Sequence, residues 1–86
     1  MEDAASFVAE CFWPDVDDAD LDALDRRIRE AAGGGQEVRY LGSILLRDDE
    51  VVLCEFDGTD DAVRAVAERA RVPFERIVRV TRAPRR

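Results

Sequence analysis

Lysine, histidine and asparagine are missing from this 86-residue chain, and all 13 of its basic residues are arginine. These absences exclude a Schiff-base lysine, an imidazole general base and an imidazole metal ligand from the chain's own chemistry. Cysteine is nearly absent too. Cys11 and Cys54 are too few for a disulfide framework and lack the paired spacing of a zinc site. No apolar run approaches the roughly 20 residues that span a bilayer, and the opening MEDAAS is acidic where a secretory leader would be basic. A cytosolic protein without a membrane partner is the expectation.

Hydrophobic residues make up 47% of the chain and charged residues 38%, which is the balance of a globular domain and not of a disordered one. The net charge of −7 argues against nucleic acid, whose affinity rests on neutralising phosphates with basic side chains. Charge is unevenly spread. Asp15, Asp17, Asp18, Asp20, Asp22 and Asp25 crowd the first third, while Arg76, Arg79, Arg82, Arg85 and Arg86 crowd the end. One domain over 1–86 is expected, with Met1 to Ser6 and Ala83 to Arg86 as solvated tails.

Six segments fill the chain. Ser6 to Trp13 is rich in aromatic residues and stops at Pro14, as a strand does. Asp17 or Asp18 caps a helix whose apolar positions, Leu21, Leu24, Ile28 and Ala31, recur in steps of three and four. The glycines at 33 to 35 end it, Gly33 being placed for a left-handed cap. Gln36 to Arg47 and Glu50 to Asp57 read as two strands joined by a hairpin turn at Asp48 and Asp49. Thr59 caps a second helix that buries Val63, Val66, Ala67 and Ala70, and Pro73 breaks it. Arg76 to Arg82 is the fourth strand. Strand, helix, strand, strand, helix, strand is the order of an α+β, ferredoxin-like sandwich: an antiparallel sheet of order 4-1-3-2 with both helices on one face.

Period-two alternation then sorts the side chains. A glutamate does not belong beneath packed helices, so Glu10 and Glu55 mark the open face, with Ala9, Cys11, Val52, Cys54 and Phe56 on the covered one. The same alternation puts Tyr40, Gly42 and Ile44 of strand two, and Ile77, Arg79 and Thr81 of strand four, on the open face. Glu10 and Glu55 then approach each other across the central strands, with Arg79 beside Glu10. Tyr40, Arg79, Glu10 and Glu55 are the candidate ligand-binding residues. The cysteines read as core packing, the aspartate cluster lacks the glycine and glutamate of a calcium loop, and the triple glycine lacks the lysine of a phosphate loop.

The stretches VAECFWP at 8–14, VRYLGSILL at 38–46 and AVRAVAERARVPFERIVRV at 62–80, with the cysteine-bearing third strand, resemble a bacterial family of small ferredoxin-like proteins. That family is catalogued as a domain of unknown function and includes a dimeric, nickel-binding member. The resemblance runs from about Phe7 to Val80 and implies a dimer. It also implies histidines just before the strand-two serine and within the second helix, where this chain has Gly42 and Val66. No metal ligand set and no cofactor are therefore expected here, because nickel favours imidazole and thiolate ligands.

Two faces and only two helices leave one side of the sheet for a partner. A homodimer is expected, since Val8, Phe12, Ile44, Val51, Leu53 and Ile77 would otherwise form a larger apolar patch than monomers tolerate. Two functional classes follow. One is a non-catalytic protein holding a small ligand or a metal ion in the cavity between the sheets. The other is a dimeric-sandwich enzyme for isomerisation, cyclisation or proton transfer, with Glu10 and Glu55 as its catalytic pair. A structural or regulatory interaction module is a third. The identity of the ligand is not written in the sequence.

Overall fold

The computed structural model describes residues 5–33 and 37–81. Its elements are β1 (Ala5–Phe12), α1 (Asp18–Ala32), β2 (Arg39–Leu46), β3 (Val51–Gly58), α2 (Asp60–Arg69) and β4 (Arg76–Val80). All strand pairs are antiparallel, in the order β2-β3-β1-β4, which is the expected 4-1-3-2 counted from the other edge. The ferredoxin-like fold is therefore the one that the segment order predicts. No helix of the described residues is long and apolar enough to cross a membrane.

Both helices form where their caps and apolar steps place them. Asp17 accepts from the Asp20 amide at 2.7 Å, and Asp20 returns the bond to the Asp17 amide at 3.1 Å, so α1 opens on a reciprocal capping box. Thr59 Oγ1 does the same work for α2, accepting from the Ala62 amide at 3.3 Å. Leu24, Ile28, Val63, Val66 and Ala67 are fully buried against Ala9, Cys11, Val52, Cys54 and Phe56. That single cluster is the core. At about 2 kcal/mol for each large apolar side chain, its burial outweighs any helix propensity these short helices have.

The helix ends depart from expectation. Gly33 sits at φ −77, right-handed, because its amide simply continues the helical ladder to the Arg29 carbonyl at 3.0 Å. The left-handed residue is Arg71, at φ 57. Its amide donates to the Glu68 carbonyl and the Val72 amide to the Ala67 carbonyl, both at 3.0 Å, a Schellman turn closing α2 before Pro73 is reached. An arginine where glycine is usual costs about 1–2 kcal/mol of backbone strain.

Several strand boundaries shift. Ser6, assigned to a tail as well as to strand one, is paired within β1, and its hydroxyl donates to Asp57 Oδ1 at 2.8 Å. β4 stops at Val80, short of Thr81, while residues 1–4, 34–36 and 82–86, which include most of the expected N-terminal tail and all of the C-terminal one, fall outside the described residues. The hairpin turn spans 47–50, closed by Asp49 N to Leu46 O at 3.1 Å and by a left-handed Glu50 at φ 56.

The consequential departure lies in β2. Tyr40 pairs with Phe56 and Gly42 with Glu55, so Leu41 is an extra residue, a bulge that shifts the alternation by one. Tyr40 therefore faces the helices, while Gly42 and Ile44 keep the open face. Gly42 takes φ 121, a conformation side chains resist, yet a Cβ there would meet nothing within 4 Å. Backbone strain alone should therefore make Gly42→Ala cost about 1–3 kcal/mol. Urea unfolding tests this: a lowered midpoint at unchanged slope is expected, and an unaltered midpoint would remove the strain assignment.

Candidate functional site

The open face is a grid of cross-strand rows fixed by register. Leu46, Val51 and Phe12 form the first row. Ile44, Leu53, Glu10 and Arg76 form the second, and Gly42, Glu55, Val8 and Val78 the third. Arg39, Asp57, Ser6 and Val80 complete it. One end of the face is apolar, the other polar, with carboxylates in the two middle rows.

Exposure confirms an unfilled surface. Phe12 is 53% exposed, Ile44 49% and Leu46 40%, which are large values for such side chains. Glu10 Oε1 accepts from Arg76 Nε at 2.7 Å, and that bond holds the Arg76 guanidinium above its ordinary pKa. Glu55 stands between Val8 and Gly42. Gly42, which is paired with Glu55, puts no side chain on the face at that point. Glu10 and Glu55 are diagonal neighbours across β1 and β3, so their Cα atoms lie about 7–8 Å apart.

Of the four candidate ligand residues, the structure brings Glu10 and Glu55 to the open face together. Arg79 is not with them. It lies opposite Phe7 and is exposed at the edge of the helix-covered side, because Ile77, facing Ala9, packs against the core and fixes the phase of β4. Arg76 takes the place expected of Arg79. Both phases of RIVRV read as plausible from alternation alone, so only the core preference of Ile77 over Val78 could have signalled it.

Tyr40 is likewise elsewhere, moved under α1 by the bulge. Its ring lies 5.5 Å from that of Phe56, and the Arg29 guanidinium sits 5.3 Å over it. The Tyr40 hydroxyl is buried and finds no hydrogen-bond partner among the described residues. A glycine inside a strand is the signal that would have found this bulge.

Cys11 and Cys54 are both fully buried beneath the helices, diagonal to one another across β1 and β3. The interaction between the two thiols lowers the pKa of Cys11, while the same interaction together with burial pushes Cys54 up. Thiols held in this way pack as small hydrophobes. They lie on the opposite side of the sheet from the glutamates.

Compared with protein-family models, curated proteins and solved structures, the chain has no match. The nickel centre that the family resemblance implies does not fit these residues. Val66 is fully buried in the core, Gly42 offers no ligand atom, and no group of three or more His, Cys, Asp or Glu among the described residues could hold a metal ion. Titration calorimetry on tag-free protein should therefore give no stoichiometric sub-micromolar nickel site. Finding one would bring the cysteines back as ligands.

Burial pushes the Tyr40 pKa up to about 12, with Ser43 acting in the opposite sense. The unfolded chain releases this proton near 10 and the folded chain later. Tyr40 thus supports the fold fully below about pH 10, and that support is lost as pH rises toward 12, by at most about 1.4 kcal/mol per pH unit. With one tyrosine in the chain, tyrosinate absorbance reads it alone. A midpoint near 12 is expected, and one near 10 would mean that the hydroxyl is solvated.

Proposed function

We propose that the chain is a homodimeric, non-catalytic binding protein whose open sheet faces pack together and hold a small ligand beside Glu55. The observation that carries this reading is the grid itself, an apolar surface with half-exposed Phe12, Ile44 and Leu46, in which Gly42 presents no side chain opposite Glu55. Four strands about 4.8 Å apart and four rows about 6.8 Å apart give a face of about 500 Å², hence about 1,000 Å² for two, which reaches the lower bound for a stable interface.

Face pairing is favoured over edge pairing by the bulge. It falls in β2, the strand at the sheet edge, where a disrupted ladder discourages a second sheet from continuing the first. Face-to-face packing about a two-fold axis would set like rows against each other or against their neighbours, and both arrangements bury the apolar end. The ligand suited to this part of the face has an apolar body, for Ile44 and Leu53, and a hydrogen-bond donor for the Glu55 carboxylate.

The engagement of Glu10 with Arg76 supports binding over proton transfer, since a carboxylate held in a salt bridge is a poor proton shuttle. The dimeric family that the sequence resembles supports the same reading. A dimer-forming enzyme using Glu10 and Glu55 is the alternative. It predicts that Glu55→Gln abolishes turnover of a substrate without loosening the dimer.

Sedimentation at micromolar concentration tests the proposal. The wild-type chain should sediment as a dimer, and Leu53→Arg, at the centre of the face, should sediment as a folded monomer with unchanged far-ultraviolet dichroism. A monomeric wild-type protein would contradict the proposal, as would a Leu53→Arg variant that remains dimeric.

A further inference from the structure

The arginines of the helix layer divide by what stands one helical turn before them. Arg29 and Arg64 have Asp25 and Asp60 there and pair with them at 2.8 and 3.7 Å. Arg27, Arg69 and Arg71 have Ala23, Ala65 and Ala67 instead. These three, with no carboxylate four residues before them, line one groove of about 250 Å³ with Glu30, Ala31 and Ala70. In a chain of net charge −7, three arginines lining one concavity are a local excess of positive charge.

The groove is also preorganised. Arg27 Nε donates to the Ala70 carbonyl at 2.8 Å, and its Nη2 to the Arg71 carbonyl at 3.4 Å. Those bonds satisfy carbonyls at the end of α2 that would otherwise repel an anion. Arg71 holds the left-handed position of the Schellman turn, at φ 57, where glycine would be unstrained. Strained residues kept in place by their surroundings cluster at ligand clamps. Here the strain places a cation in the groove wall.

We propose that this groove binds a doubly charged oxyanion, the phosphoryl group of a small phosphomonoester. Three guanidinium groups and one carboxylate give the lining a formal charge of +3 − 1 = +2. A phosphomonoester carries about −1.5 to −2 at pH 7, and guanidinium forks match its oxygens in pairs. The volume is below the roughly 300–1,000 Å³ of pockets that enclose whole ligands, so the phosphoryl head enters and the rest of the molecule stays outside. The site lies on the helix side and does not depend on the dimer proposed above.

Amide-resolved NMR titration with phenyl phosphate, at ionic strength held constant with sodium chloride, tests the assignment. Saturable shifts are expected at Arg27, Ala31, Ala70 and Arg71, with benzoate binding at least about tenfold more weakly, because a monoanion leaves one charge of the lining unmatched. Arg71→Gly should weaken phenyl phosphate about tenfold while leaving the thermal midpoint at or above that of the wild type, since glycine relieves the strain. Glu30→Gln should tighten it. Non-saturable shifts, equal binding of benzoate, or wild-type affinity in Arg71→Gly would each overturn the proposal.

Discussion

The register of β1 against β3 is the constraint on which the rest of the molecule depends. Ala9 opposite Cys54 and Cys11 opposite Val52 bring small and medium side chains together beneath the helices, where Leu24, Ile28, Val63 and Val66 close over them. The same pairing puts Val8 opposite Glu55 and Glu10 opposite Leu53 on the other side. A slip of one residue would exchange the two sets, burying two carboxylates under helices that offer them no partner. The facing that this register sets separates the charges from the core.

The covered face was legible in the sequence because burial there is total. Helix steps of three and four, caps at Asp17 and Thr59, and apolar alternation along β3 all point the same way, and every residue they assign to the core is buried or packed against it. The open face was legible only in its centre. Glu10 and Glu55 declare their side because carboxylates avoid the core, but nothing so decisive marks β4, where Arg76 and Arg79 each fit an exposed position. Tyr40 escaped because a bulge is a local backbone event, announced by Gly42 alone. Arg71 escaped for the opposite reason. Its left-handed turn occupies a position where the sequence shows no glycine.

The two sides of the molecule use charge differently. On the helix side, aspartates stand at the N-terminal ends, where the backbone amides favour them, and arginines collect toward the C-terminal ends, where unpaired carbonyls accept from Arg27. On the sheet side, charge is sparse and locally matched, with Glu10 held by Arg76 and Asp57 by Ser6. Apolar area dominates between them. Leaving water costs Glu10 and Asp57 little, because each already has a partner within the same sheet.

Whether the open face meets a second copy is read most directly by isotope-filtered NMR on a mixture of labelled and unlabelled chains. Face-to-face packing predicts contacts between subunits that join Phe12, Ile44, Leu46 and Leu53 of one copy to the same set of the other. A mixture in which those side chains show no contact between copies, or in which contacts map to the outer edge of β2 instead, would contradict it.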